Sequence, residues 1–440
     1  MIWQRLVHVC GRWRDIIFQS PLRLNLQILC TVRTPTKEKL GIWPALPLTV
    51  LVGYCPPSWS TENITSSLEH RDRIYKISIG SPSSSLLESL LSIMQEPFPA
   101  LTSLNLSLYG RIVSRIRIPD SFLGGSTPHL RSLSFENVSF PALPALLSSA
   151  TNLTTLSLQN VPDSGYILPE AMITSLSLMT KLECLKLRFQ SSRSCRGRES
   201  QYPRLPTRVD LPVLNCLEFR GVSEYLEVLV ARIHAPLLNY LEITFFSQPI
   251  FHTSHLSQFI SRIPKFRALK EPHVVFSGGN MSIRVPSPTE PLGHTVLTVG
   301  ISHKDPNWWP ATVAELYTST FPPFLTVERL YMRLPPAHWQ ITRDSEWLEL
   351  LRPFAAVKNL YLSKKVSSHV APALQELAYD ERLLEVLPAL QNVYLGDLQS
   401  TGSVQQATNY FAYTRWISGQ PVAVFRWEVG KNMRWEVCEG

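Results

Sequence analysis

Along the middle of the chain one apolar phrase, L-x-x-L-x-L, comes round five times: Leu130, Leu133, Phe135; Leu153, Leu156, Leu158; Leu182, Leu185, Leu187; Leu214, Leu217, Phe219; Leu238, Leu241, Ile243. Its first residues lie 23, 29, 32 and 24 positions apart. The second and third apolar residues of a phrase are two apart, so both face one side of a short strand while the residues between them face the other. A single such strand cannot bury its apolar side. Many stacked in parallel share one interior, and the pattern therefore predicts an α/β solenoid: a curved parallel sheet with helices on its outer face.

Spacings of about 20 to 29 residues are those of leucine-rich repeats. The same phrase is legible before the central block, as Ile74, Ile77, Ile79 and Leu101, Leu104, Leu106. It returns after it as Val327, Leu330, Met332; Val357, Leu360, Leu362; and Leu390, Val393, Leu395. Helices are predicted between phrases over Leu86 to Met94, Leu143 to Ser148, Pro169 to Met179, Ser223 to Ile233, Leu256 to Ile263, Ser345 to Leu351 and Ala371 to Leu384. Between Phe266 and Phe324 the phrase dissolves. Strands at Val274 to Phe276, Met281 to Val285 and Val296 to Ile301, with Gly278-Gly279-Asn280 as a hairpin turn, make this one enlarged repeat. The array thus reads as residues 74–398, with residues 22–73 as the first strands and a leading cap, and residues 399–440 as a closing cap. A repeat array grows along one axis, so 440 residues need not divide into several domains.

Composition supports a folded chain, with 44% hydrophobic and 17% charged residues. The net charge of +8 invites a polyanion partner. Much of it is local, since Arg188 to Arg208 holds six arginines against Glu199 alone. Past Phe189, with only Tyr202 interleaved, that segment reads as a solvated insertion, and nucleic-acid binding through it is the weaker reading. Seven cysteines without a C-x-x-C pair fit a reducing compartment, and Cys184 and Cys216 read as small side chains on strands. Arg5, Arg12 and Arg14 interrupt the first apolar residues, so no signal peptide is read, and Leu46 to Tyr54 is too short to span a bilayer. A soluble protein of the cytoplasm or nucleus, without a membrane partner, is expected.

At the amino-terminal end Leu6, Val9, Cys10, Trp13 and Ile17 recur at helical steps, opposite Arg5, Arg12, Arg14 and Asp15. Ser20-Pro21 ends this helix and Leu22, Leu24, Leu26 and Ile28 alternate as a strand. The run Val9-Cys10-Gly11-Arg12-Trp13-Arg14-Asp15-Ile16 followed by Ser20-Pro21 resembles the last part of an F-box. The whole chain resembles fungal F-box-like proteins with leucine-rich repeats. That resemblance implies a substrate receptor of an SCF-type cullin-RING ubiquitin ligase. Residues 1–21, through Leu6, Val9, Cys10, Trp13, Ile16 and Ile17, would dock an adaptor protein and through it a cullin, while the repeats hold a protein target. The same residues would equally serve to cap the open end of a repeat core.

Enzyme chemistry finds no foothold: G-x-S-x-G, a Walker-type glycine loop and H-E-x-x-H are all missing. His252 and His255 lack a third ligand nearby in sequence, and Gly124-Gly125-Ser126 precedes a phrase as a turn would. No cofactor is implied. The informative positions are those between the leucines, which alternation turns onto the open face of the sheet. Early phrases offer Ser103, Asn105, Ser107, Ser132, Ser134, Thr155 and Ser157. Later ones offer Lys186, Arg188, Arg220, Tyr240, Arg329, Tyr331, Arg333, Tyr361 and Tyr394, the residue types that anchor protein interfaces. They are the expected target-binding set. Tyr331, Tyr361 and Tyr394 share one slot and should stack as a ladder, which on its own would stabilise the sheet. Val138, Val161 and Val222 stand where repeats of this kind carry an asparagine, which predicts apolar packing inside the turns.

Overall fold

The computed structural model describes residues 9–18, 26–33, 36–42, 46–52, 60–80, 84–108, 117–191, 208–248, 250–267, 273–277, 280–286, 295–302, 327–333, 344–379, 383–396, 402–427 and 436–437. The chain forms two compact units. One comprises Met1–Cys216 with Arg232–Ala235, the other Leu217–Ala231 with Pro236–Gly440.

In the first unit the strands β1 (Leu26–Leu29), β2 (Leu48–Val52), β3 (Ile74–Gly80), β4 (Ser103–Ser107), β5 (Ser132–Glu136), β6 (Thr155–Val161) and β7 (Cys184–Phe189) lie side by side in chain order, each parallel to the next. Their register is the register of the phrase. Ile77, Leu104, Leu133, Leu156 and Leu185 are successive partners, as are Ile79, Leu106, Phe135, Leu158 and Leu187. The first apolar residue closes a turn instead: Leu130, Leu153 and Leu182 donate to the carbonyls of Thr127, Ala150 and Met179 and drop into the core. Leu133, Leu156 and Leu185 are wholly buried, and so is Leu217 in the second unit. That is what a shared interior requires.

The connecting helices α1 (Gly11–Phe18), α2 (Thr36–Ile42), α3 (Thr61–Leu68), α4 (Ser84–Ile93), α5 (Leu143–Leu147) and α6 (Pro169–Leu176) are short, because proline and polar caps punctuate the links. Ser60 caps α3 by accepting from the Asn63 N–H at 3.1 Å. Val138 is buried in the link after β5, as expected, and Val161 is buried at the end of β6. Asparagine is nonetheless used one residue earlier: Asn137 and Asn160 adopt left-handed backbone at φ 58° and 51°, and Asn137 Nδ2 donates to the Leu108 carbonyl at 2.7 Å. Gly124 is a turn residue with φ +67°, where a Cβ would lie 2.7 Å from Pro97 Cγ.

In the second unit β8 (Cys216–Gly221, from Leu217 on) pairs with β9 (Tyr240–Phe246). The enlarged repeat supplies three strands, β10 (His273–Ser277), β11 (Asn280–Pro286) and β12 (Thr295–Ser302), close to their expected bounds. They enter the sheet backwards. β12 lies parallel beside β9, β11 is antiparallel to β12 and to β10, and β10 lies parallel beside β13 (Arg329–Arg333). One reversed strand between two forward ones lets the chain double back while every ladder stays paired. Parallel pairing then resumes through β14 (Asn359–Leu362), β15 (Asn392–Gly396) and β16 (Ala423–Trp427), and β17 (Glu436–Val437) closes the sheet antiparallel to β16.

The helices of this unit are α7 (Ser223–Val230), α8 (Ser254–Arg262), α9 (Pro264–Arg267), α10 (Asp344–Leu351), α11 (Lys364–Leu377) and α12 (Ser403–Ile417). The expected helix over Ala371 to Leu384 is displaced: α11 starts at Lys364, ends at Leu377 and carries Pro372 inside. The apolar face begins earlier, at Val366, Val370, Ala371 and Leu374, and burying it outweighs the backbone bond that proline removes.

Two buried polar side chains tie the links of this unit. Glu227 of α7, nearly buried, accepts from the Leu256 N–H at 2.7 Å and the His255 N–H at 2.8 Å, capping α8 from a neighbouring helix. Arg415 of α12 is fully buried and donates to the carbonyls of Leu383, Leu387, Pro388 and Leu390 at 3.1–3.5 Å. It stitches that helix to the turn before β15. Leu156→Ala should cost about 2–5 kcal/mol in urea unfolding, as a wholly buried phrase position. Arg415→Lys keeps the charge but loses the fork of donors, and should cost more than about 1 kcal/mol by the same measurement.

Candidate protein-binding surfaces

Alternation sets two polar rows on the open face of the first unit. One runs Lys76, Ser103, Ser132, Thr155, Cys184 and the other Ser78, Asn105, Ser134, Ser157, Lys186. Most are half-buried, because small side chains lie flat between their neighbours, and they bond to one another, as from Asn105 Nδ2 to Ser78 Oγ at 3.4 Å. The face is low and hydroxyl-rich, and turns basic at its last strand, where half-buried Lys186 and Arg188 stand.

In the second unit the expected contact residues are held in place by neighbours. The Arg220 guanidinium lies 5.6 Å from the Phe246 ring centroid and donates to Ser302 Oγ at 3.1 Å, a bond to a strand of the enlarged repeat. Tyr240 donates its hydroxyl to Glu242 at 2.6 Å. Arg329 is exposed, and the side chain of Arg333 lies outside the described residues.

Tyr331, Tyr361 and Tyr394 form the ladder. Their register places them directly opposite one another, and the rings stack at 4.2 Å and 8°, then 4.3 Å and 6°. Phe425 of β16 adds a fourth rung at 5.1 Å. Tyr331 and Tyr361 retain only 5% and 3% of their surface, which leaves Tyr394 as the tyrosine with accessible area to offer a partner. Burial holds the Tyr361 phenol above its ordinary range, and the neighbouring phenols of Tyr331 and Tyr394 add to the shift.

The other candidate surface is α1. It begins at Gly11; Leu6 lies outside the described residues, as does the side chain of Ile17. From Val9 to Ile16 every side chain is exposed, with Val9 at 64%, Trp13 at 47% and Ile16 at 56%. Cys10 is exposed as well. A helix that capped the repeat core would bury these residues.

No model of a known protein family matches the sequence, and no curated protein does. Among solved structures, the leucine-rich repeat-containing protein LegL7 from Legionella pneumophila is 12% identical over 88% of this chain and 97% of its own, with a TM-score of 0.28. TLR13 in its ssRNA13 complex is 14% identical, also with a TM-score of 0.28; the match covers 84% of this chain and 45% of TLR13. Likeness at that level carries no argument about partners. The repeated phrase and the in-register parallel strands decide the architecture. The fold is that of a leucine-rich-repeat protein.

Other sequence candidates separate in this leucine-rich-repeat frame. His255 Nδ1 stands 4.0 Å from Glu227, and among the described residues no group of three His, Cys, Asp or Glu is gathered as a metal site. No helix among them is long and apolar enough to cross a membrane. Residues 192–207 of the basic segment lie outside the described residues; Arg208, at its end, pairs with Asp210 at 2.7 Å. Sequence reading missed Phe425 as a rung, although Val422, Val424 and Arg426 alternating with Ala423 and Phe425 carried the strand signal. It also missed Glu227 and Arg415, whose partners are remote in sequence.

The folded chain holds the Tyr361 proton more tightly than the unfolded chain, whose phenols titrate near about pH 10. The stability this contributes is full below that pH and is lost as pH rises through the higher folded value. Unfolding midpoints measured from about pH 8 to 12 should fall at the alkaline end, and Tyr361→Phe should flatten the fall. Equal slopes would remove the ladder from the account.

Proposed function

We propose that this chain is a protein-binding subunit that acts as a substrate receptor of an SCF-type cullin-RING ubiquitin ligase. In this reading α1 docks an adaptor protein, the adaptor carries the cullin, and the repeat face holds a protein target. The observation that carries it is the exposed apolar surface of Val9, just before α1, and of Trp13 and Ile16 on it; the helix precedes the first strand and does not bury these residues in the core. Aromatic side chains of this kind anchor interfaces, since a ring removes much apolar area from water at little cost in rotamer freedom.

Each unit has its own accessible members of the expected set to offer the target: Lys186 and Arg188 in the first unit, and Arg220, Tyr240, Arg329 and Tyr394 in the second. A leucine-rich-repeat scaffold that binds a partner through this face without an adaptor is the alternative, and the same half-buried Arg and Tyr positions favour it.

Affinity purification of the full chain should recover the adaptor and a cullin. Trp13→Ala should reduce that recovery more than about tenfold, the scale of truncating an interface anchor, while leaving target binding in place. Recovery of a repeat-face partner with no adaptor would leave the scaffold reading standing instead. A salt-sensitive shift of nucleic acid by the full chain would redirect attention to the arginine-rich segment.

A further inference from the structure

Cys184 opens β7 and Cys216 opens β8, 32 residues further along the chain. Both belong to the first unit, both are half-buried, and both are present as thiols. Backbone bonding fixes their relative position. Ser132, Thr155 and Cys184 are successive register partners. At each of these steps one carbonyl takes two N–H groups: Arg131 O accepts from Thr154 and Thr155, and Thr154 O accepts from Glu183 and Cys184. Glu183 O repeats the fork, accepting from Asn215 at 2.9 Å and Cys216 at 3.1 Å. Cys216 therefore stands directly beside Cys184. With Leu185 buried, Cys184 faces the open side, and the repeated fork puts Cys216 on that side with it.

Adjacent strands run about 4.8 Å apart, which falls inside the range of about 4.4 to 6.8 Å that disulfide-linked Cα atoms span. Side chains projecting in parallel at that spacing must lean toward each other to reach the Cβ separation of about 3.8 Å that a disulfide prefers. The bond can form, and the strain makes it readily reduced again. Cys30 is the contrast. Its thiol is buried, lies 3.7 Å from Ser67 Oγ, and is pushed by burial up to about 11.

We propose that Cys184 and Cys216 form a paired-thiol oxidation site on the open face, closed to a reversible disulfide by hydrogen peroxide. One thiolate attacks a peroxide oxygen, the O–O bond breaks, and a sulfenic acid and water result once the leaving oxygen takes a proton. The second thiol attacks the sulfenic sulfur; the S–S bond forms, the S–O bond breaks, and a second water leaves with the thiol proton. Two electrons pass from the two sulfurs to the peroxide.

The test treats the full chain with hydrogen peroxide, alkylates remaining thiols, digests without reductant and maps cysteine peptides by mass spectrometry. The expected result is a Cys184–Cys216 linked peptide that vanishes on reduction, with Cys30 alkylated only after unfolding. Cys184→Ser should abolish the link and leave Cys216 as a sulfenic acid that dimedone traps. Alkylation of both residues after peroxide, separate oxidation of each to sulfinic acid, or a link from either to Cys195 would overturn the proposal.

Discussion

A parallel ladder whose hydrogen-bond register coincides with the leucine period is the constraint on which the structure depends. Leu104, Leu133, Leu156 and Leu185 are register partners and are all buried to within 1%. If the strands slipped by one residue, each of these side chains would turn to the open face and Ser103, Ser132 and Thr155 would enter the core. Backbone pairing and apolar burial thus select the same alignment. The forked acceptors at Thr102, Arg131 and Thr154 reinforce it, because each fixes where the next strand begins.

The second unit shows how far that constraint can be bent. Its enlarged repeat runs backwards through the sheet, and pairing survives because the two outer strands of the insertion are parallel to their neighbours while the middle one is not. Outside that repeat Glu227 and Arg415 tie elements together, offering a carboxylate to helix N–H groups and a guanidinium to turn carbonyls. Burying these groups is tolerated because each satisfies several backbone partners at once.

The open face divides between holding and presenting. Stacked Tyr331 and Tyr361 give up their surface to each other and to the sheet, whereas Arg329 and Tyr394 keep some. The same alternation that exposes a slot residue also sets it about 4.8 Å from the matching slot on the next strand. Large flat rings in successive slots therefore stack before they meet a partner. Cys184 and Cys216 occupy matching slots for the same reason, and at that spacing two thiols are neighbours with chemistry available to them.

The sequence by itself determined what local periodicity can encode: the phrase, the burial of its leucines, the three strands of the enlarged repeat, and the tyrosine slot. Each follows from residues within one phrase or from counting between phrases. It did not determine the order in which those three strands enter the sheet, since all three carry the same alternation and only pairing with β9 and β13 distinguishes them. Nor did it determine that α11 runs through Pro372, that Arg415 is buried, or that two rungs of the ladder are covered while Trp13 is exposed. Those outcomes rest on groups remote along the chain competing for the same space, and only the tertiary structure decides which of them is shielded from water.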